Sequence, residues 1–592
     1  MDREEKLLLL VIVASLSLIG LLALGVCLFN VSHRPAPIVD YFELPARDFH
    51  YANPADLKFY QQLYNFPGQD FDLAGSQVFG GVIPHHLLAG DLIADFFRQL
   101  EGQDFDLIVL LGPNHFSAGQ SDLIASAYDW QTPYGILSPD QAALNQLKDE
   151  LNLAVEEKPF AAEHSINVEV AFIKKTFRHA KFLPIIIKPG VDQTTAGELA
   201  EALFKISQSK KMLLLVSADF SHYQTSDQAQ LDDQASIKAL TNFDLEKIYS
   251  LAVDSPPAVY ALLKYGQLYH ASFQLLNNSN SAILSNQPDL PSTTSYITGF
   301  LTNQVPPVSL KMLFFGDLML DRHVKELINS KGFDYIFSDL NRNNFFMGYD
   351  LVGANLEGVV TDGGQHYDPV KEFDFAFDPK DVAALKKYHF TFFNLANNHI
   401  FDQGQRGIDE TNSNLTALGF DYAGCPDGQV ADCSWRILTL DNQQIALVGF
   451  SGVGAKLNPN LVAKMIIDLR FQVDWIIINI HWGQEYQLQP NEMQRHLAHQ
   501  LIESGADVVI GHHPHVVQGL EVYQGKPIFY SLGNFVFDQY FSQDTQTGLA
   551  LSLNFLNTEV NYELWPLVAT KGQLKLLIGN ERQDFLAKLE ID

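Results

Sequence analysis

The sequence predicts an α/β protein: two αβ domains, each on a central, mostly parallel or mixed sheet, preceded by one N-terminal transmembrane helix. Three observations predict this. Apolar runs of strand length recur through both halves and end in polar residues. A helix-periodic stretch separates two of these runs, as in a strand-helix-strand unit. Leu7–Phe29 is apolar and carries no charge.

At 592 residues the chain is too long for one core, so at least two domains are expected. Hydrophobic residues make up 47% and charged residues 18%, enough apolar material to bury large sheets. The net charge of -30 excludes nucleic acid as a partner, because phosphate binding requires Lys and Arg.

At about 1.5 Å per residue, Leu7–Phe29 can cross a hydrocarbon core of about 30 Å. The stretch LGVC, ending at Cys27, has bulky Val26 where a lipoprotein cleavage box needs a small residue. We therefore read residues 1–30 as an uncleaved single-pass anchor whose partner is the cell membrane. Residues 31–70 are proline-bearing and irregular, and read as a stalk. A break at Pro306 and Pro307 places a linker at 304–310, between domains at 71–303 and 311–592. Cys27, Cys425 and Cys433 form no CxxC pair, and buried free thiols are expected at the latter two rather than a disulfide.

In the second half, five apolar runs end in potential ligands. MLFF precedes Asp317, DLVGA precedes Asn355 and Glu357, and FTFFNLA precedes Asn397, Asn398 and His399. DWIIINI precedes His481, and DVVI precedes His512, His513 and His515. Between the last two runs, PNEMQRHLAHQLIESG predicts a helix with a stripe at Met493, Leu497 and Leu501 and a stop at Gly505. Parallel sheets bind ligands at the carboxyl ends of their strands, where these residues fall. Carboxylate, amide and imidazole without thiolate suit Mn, Fe or Zn, as one ion or a pair. His512 is expected to support rather than ligate. Trp482 and Phe535 are expected either to line the pocket or to pack in the core.

GDLMLDR, NLEGVVTD, LANNHIFDQG, NIHWGQEY, GADVVIGHHPHVVQGLE and IFYSLGNFVFDQ together resemble the CapA, or poly-γ-glutamate capsule biosynthesis, family. The resemblance implies a calcineurin-like metallophosphoesterase sandwich. It implies Asp317, Glu357 or Asn355, Asn398, His481, His513 and His515 as metal ligands. It also implies His399 as the acid that protonates a leaving group, tuned by Asp402 or a neighbouring residue. Asp321 and Arg322 would stand at the substrate mouth, Arg322 gripping phosphate or carboxylate. One departure is that Met319 stands where ordinary metallophosphoesterases carry the histidine of a DxH pair.

The first half repeats the pattern. GVI leads to His85, DLIVLL to Asn114 and His115, and KMLLLVSA to Asp219 and His222, with Glu163 and His164 between. GVIPHHLLAG, LIVLLGPNHF, DWQTPYG, EHSI, SADFSHY and SYITGFLT resemble the Memo family, protein B of the AmmeMemoRadiSam system. That implies a fold akin to class III extradiol dioxygenases, with His85 and His115 holding Fe, Cu or Zn. Glu163, His164, Asp219 and His222 would line the pocket. The family's third ligand is a cysteine, yet LAVDSPPAVYALL contains none; Asp254 or Ser255 stands nearby.

The expected function is that of a membrane-anchored, extracytoplasmic, metal-dependent hydrolase acting on a phosphoester or an anionic γ-glutamyl polymer. A non-catalytic polymer-binding or export component is the alternative. An oxidoreductase in the first domain is a third, which the absent cysteine disfavours.

Overall fold

The computed structural model describes residues 49–589, apart from 66, 67, 69, 70, 72, 74, 288, 289, 305–308, 343, 371, 455 and 456. The anchor expected at Leu7–Phe29 lies outside the described residues. Among those described, no helix is long and apolar enough to cross a membrane. Within the stretch read as a stalk, Phe49–Tyr51 is a strand and Leu57–Leu63 a helix. Tyr60 on that helix is fully buried in the first domain's core.

The first domain is built on strands Val78–Ile83, Met212–Ser217, Leu107–Pro113 and Lys181–Ile187, neighbours in that order and all parallel. Antiparallel Thr293–Thr302 extends the sheet beyond Val78–Ile83. Leu107–Pro113 is buried at every position, as a strand covered on both faces must be. The helices Gln193–Ser207 and Pro256–Leu268 pack on one face, through Leu199, Leu203 and Leu262. Gly90–Gln99 and Glu169–Thr176 cover the other through Phe96, Phe97 and Phe172. Asp192 starts the Gln193–Ser207 helix by accepting the Thr195 N–H, a cap that satisfies an otherwise orphaned donor.

The second domain has two sheets. In one, parallel Asp421–Ala423, Phe390–Asn394, Leu351–Leu356 and Ser309–Leu318 continue into the antiparallel strands Thr547–Leu556 and Glu559–Thr570. In the other, Gln443–Ser451, Trp475–His481, Val508–His512 and Lys526–Phe529 are parallel. Met312 and Phe314 share one core with Ile477 and Ile510, so the sheets face each other. Leu313 and Phe315 point to the outer layer with Phe337, as the two-residue period of a strand requires. The layering is helix, sheet, sheet, helix.

The helix between the last two strands runs Glu492–Glu503, closed at its start by an Asn491–Gln494 capping box. Its buried face is Gln494, Ala498, Leu501 and Ile502. Met493, expected in the apolar stripe, is 79% exposed, because it precedes the inward-facing Gln494 in the first turn. Trp482 and Phe535 are core residues: Trp482 gives its Nε1–H to the Tyr530 carbonyl, and Phe535 stacks on Phe315 at 3.9 Å.

Cys425 and Cys433 form a disulfide, contrary to the free thiols expected. Short turns at Pro426–Gly428 and Asp432–Ser434 fold the segment back, and the Gly424 N–H bonds the Cys433 carbonyl at 2.7 Å. The resulting Cα separation of 5.1 Å lies in the range a disulfide spans.

From His50 onward the chain is one unit, and the two domains meet through polar contacts. Lys238 pairs with Asp350, and Asn344 Nδ2 donates to Asp232 at 3.0 Å. Arg582 joins Asp227 to Glu563 while lying over the Trp565 ring.

Candidate metal centre

Asp317, Asn355 and Glu357, from one sheet of the second domain, meet His481, His513 and His515 from the other. Ser309–Leu318 can deliver Asp317 there because Gly316 lets two backbones touch. A Cβ at Gly316 would lie 1.8 Å from the Gly533 carbonyl oxygen. The Asp317 N–H bonds that same oxygen at 3.0 Å. Opposite, the backbone turns through φ +98° at His513 and +56° at His515. Non-glycine residues rarely hold such angles, and that cost is typical of loops that aim functional groups.

His515 Nδ1 lies 3.2 Å from Asp317 Oδ2 and 2.9 Å from Asn534 Oδ1. Its Nε2 is 3.6 Å from Glu357 Oε1. Asn355 Nδ2 donates to Asp317 Oδ1 at 2.8 Å and is itself steadied by Asn394. His481 Nε2 faces Asn398 Oδ1 at 2.8 Å, and its ring lies 4.7 Å from that of His513. Asp317, Glu357 and His481 are fully buried.

Burial works to raise the Asp317 carboxyl, but the His515 hydrogen bond and the surrounding imidazoles outweigh it and hold the group below the usual range. Burial works to lower His515; the charges of Glu357 and Asp317 overcome it and bring it to about 9. Burial and then the neighbouring His515 push His513 down to about 4, and burial lowers His512 to about 4. Burial lowers His481 as well, and Glu357 is driven up by burial and by Asp317. His481 donates through Nε2 to Asn398 Oδ1, which leaves its Nδ1 lone pair toward Asn355 Nδ2 at 3.4 Å.

Glu357 Oε1 and His513 Nδ1 are buried without a hydrogen-bond partner, an arrangement that costs free energy unless something else occupies those lone pairs. Asp317, Glu357 and His481 form one group able to hold a cation, and Glu485, His513 and His515 form a second. The donor set, oxygen and nitrogen without thiolate, fits the divalent Mn, Fe or Zn expected.

His399 stands beside this cluster. Its Nδ1 is 2.7 Å from Asp402 Oδ2, its Nε2 is 3.8 Å from Glu357 Oε1, and its ring packs on Phe375 at 4.2 Å. Arg322 does not grip the mouth as expected, because its Nε and Nη2 edge is held by the Asp538 carboxylate. Asp321 is occupied too: it accepts the N–H groups of Arg322 and Ala376 and pairs with His366 at 3.0 Å. His512 has Nε2 3.4 Å from Asn479 and Nδ1 3.8 Å from Asp317, and that Nδ1 is buried without a hydrogen-bond partner. Met319 is buried with its sulfur taking the Asp321 N–H.

In the first domain, His85 and His115 converge as expected. His85 Nε2 lies 3.2 Å from Asp254 Oδ2 and 3.6 Å from Asp219 Oδ2, and His115 Nε2 lies 3.6 Å from Asp254 Oδ2. Their other ring nitrogens are held by Ser217 Oγ at 3.0 Å and Glu163 Oε1 at 2.7 Å. His164 stacks on His115 at 4.2 Å and is the more exposed ring. His222 is half-buried on the adjoining strand Phe220–Gln224, and burial raises the Asp219 carboxyl above its usual range. Burial works against protonated His115, but hydrogen bonds to Asp254 and Glu163 bring it to about 9. Burial and then the His85 charge lower His164 to about 4.

Sequence reasoning missed three contributors to the second-domain site. Glu485 follows His481 by four residues on the strand-end loop, and a carboxylate so close to a candidate ligand was a readable signal. Asn534 opens the short strand Asn534–Val536, five residues after the strand Lys526–Phe529 ends, so the strand-end pattern did not point to it. Asp538, which claims Arg322, had no local signal.

Residues 311–539 match the family of bacterial capsule synthesis protein PGA_cap, and residues 52–285 match Memo-like protein. The chain is 33% identical over 273 residues to PGA biosynthesis protein CapA of Bacillus subtilis (strain 168), covering 44% of this chain and 71% of that protein. The chain belongs to the CapA family of capsule biosynthesis proteins. A second CapA, the capsule biosynthesis protein of Bacillus anthracis, is 33% identical, over 42% of this chain and 66% of that one. The Memo-like domain, fused ahead of the CapA domain, is 26% identical to a MEMO1 family protein of Nitrosopumilus maritimus (strain SCM1), over 30% of this chain and 66% of that protein.

Proposed function

We propose that this chain is a membrane-anchored hydrolase of the CapA type, active outside the cytoplasm and dependent on a divalent metal in its CapA domain. The observation that carries this reading is the His399–Asp402 pair at the edge of the cluster. A metal site that only braces a fold needs no positioned proton donor beside it. Its substrate would be a phosphoester or, following the names of its CapA relatives, the γ-glutamyl amide of a capsule polymer.

Bound Mn, Fe or Zn would supply Lewis-acid polarisation of a phosphoryl or carbonyl oxygen and acidify a nearby water. Asp317, Glu357, Asn398, His481, His513 and His515 are the residues that would hold it, with Glu485 at the outer side. Asp402 accepts the Nδ1–H of His399, fixes the ring and stabilises its imidazolium. His399 Nε2 then donates its proton to the leaving oxygen or nitrogen and regains one from solvent. Phe375 and Phe537 wall the histidines from water, at 4.2 Å from His399 and 4.8 Å from His515. With Arg322 paired to Asp538, an anionic substrate would find its positive charge in the bound cations. The Cys425–Cys433 disulfide suits an oxidising compartment, which supports the extracytoplasmic placement.

The test is the purified full chain in detergent, stripped of metal and reloaded with Mn²⁺, Fe²⁺ or Zn²⁺. It should hydrolyse an aryl phosphomonoester or phosphodiester, or a γ-glutamyl amide. Metal-loaded protein that turns over none of these would leave the non-catalytic polymer-binding reading standing.

A further inference from the structure

We propose that Asp254 takes the place of the cysteine of Memo-like proteins, and with His85 and His115 forms a two-histidine, one-carboxylate centre in the first domain. Its cofactor would be a hard or borderline divalent cation, Fe²⁺, Mn²⁺ or Zn²⁺, rather than Cu⁺.

Asp254 Oδ2 stands between the Nε2 atoms of two imidazoles, and His85, His115 and His164 carry donor atoms within 4.8 Å of one another. Ligands at about 2.0–2.2 Å from a shared ion, separated by angles of about 90–110°, lie roughly 3.0–3.5 Å from one another. Asp254 Oδ2 is 3.2 Å from His85 Nε2 and 3.6 Å from His115 Nε2. The two rings stand edge to face at 5.0 Å, so their Nε2 lone pairs can meet without stacking.

The far sides of the rings are prepared as well. A ligating histidine is normally oriented by a hydrogen bond from its other nitrogen, and here Ser217 Oγ and Glu163 Oε1 provide it. Glu163 is itself pinned by Ser165, whose N–H and Oγ both donate to Oε1. Asp254 is held by the Asp219 N–H at 3.2 Å, while its Oδ1 is buried with no hydrogen-bond partner. A buried carboxylate oxygen left without a donor is costly, and a cation relieves that cost. His85 is 3% exposed, whereas the His164 side chain is 47% exposed, so the triad is closed behind and open on the His164 side.

An oxygen in place of the sulfur changes the preference. Thiolate favours soft Cu⁺, whereas carboxylate with two imidazoles suits Fe²⁺, Mn²⁺ and Zn²⁺. The chain thereby keeps a metal site while losing the soft ligand.

The experiment counts metal on the full chain in detergent, chelator-stripped and then titrated with Zn²⁺, Mn²⁺, anaerobic Fe²⁺ or Cu⁺. Wild type is compared with Asp254→Ala, Asp254→Asn, Asp254→Cys and His85→Ala, each also combined with His481→Ala to silence the CapA domain. In the His481→Ala background, Asp254→Ala and His85→Ala should each lower first-domain affinity for Zn²⁺ by at least about tenfold. Asp254→Cys should restore Zn²⁺ binding, gain Cu⁺, and with Co²⁺ show a thiolate charge-transfer band that wild type lacks. Asp254→Asn preserves shape and serves if Asp254→Ala does not fold. Unchanged affinity in Asp254→Ala or Asp254→Asn, in protein with an unaltered thermal midpoint, would overturn the assignment. So would tighter binding of Cu⁺ than of Zn²⁺ by the first domain of the His481→Ala chain with Asp254 intact. Neither result bears on hydrolysis by the CapA domain, which the His481 variants report separately.

Discussion

The two clusters are built by different means from one device. In the first domain His85, His115 and Asp219 all follow adjacent parallel strands of a single sheet, and Asp254 joins them from the loop before the helix Pro256–Leu268. In the CapA domain they come from two sheets that face across a shared core. The single-sheet site is shallow: His115 and His164 side chains are 25% and 47% exposed, and carboxylates surround them. The two-sheet site is deeper, with Glu485 at its exposed rim, and burial lowers His481, His512 and His513. Two sheets facing one another bury Asp317, Glu357 and His481 completely where one sheet edge leaves the His164 side chain 47% exposed, and the drier surroundings strengthen each charge interaction.

The sharpest way to break this comparison is His481→Ala. It should lower CapA-domain metal affinity and turnover by more than about a hundredfold, while metal counting shows first-domain binding intact. Equal loss from both domains would mean that the clusters are not independent. His399→Ala should cut turnover by about 10²–10⁴-fold with unchanged metal content, and loss of metal instead would assign His399 to the ligand set.

Phe535→Ala tests how far the two-sheet site depends on its core. Phe535 adjoins Asn534, which holds His515, and it stacks on Phe315. Truncation should cost about 3–5 kcal/mol, read as a lower denaturation midpoint, and weaken metal binding in the CapA domain alone.

The smallest effect concerns Asp233 in the first domain, bonded to Ser295 and Asn278. Burial raises it to about 7 despite those hydrogen bonds. The folded state then keeps its proton where the unfolded chain has released it. This contribution makes stability decline as pH rises from about 4 to about 7. Asp233→Asn should flatten that slope in denaturation curves taken across the interval, and an unchanged slope would show that Asp233 does not titrate there.

Much of this was legible in the sequence. The eight apolar runs read as strands are strands, and their polar ends converge, because strand length, parallel burial and strand-end polarity are local properties. What escaped depended on contacts between distant segments. Arg322 looked available until Asp538, 216 residues away, closed on it. Cys425 and Cys433 looked like free thiols until two short turns folded one back onto the other. Met493 fitted an apolar stripe whose true phase was set by the sheet beneath the helix.

Residue types, their place at strand ends, membership of the CapA family and the likeness to Memo-like proteins can all be read from neighbours along the chain. Folding alone settles which nitrogen faces which oxygen, that Asp254 stands between His85 and His115, and that Glu357 Oε1, His513 Nδ1 and Asp254 Oδ1 are buried without partners. Those features arise when separate strands are brought together and water is removed, and no local pattern encodes them.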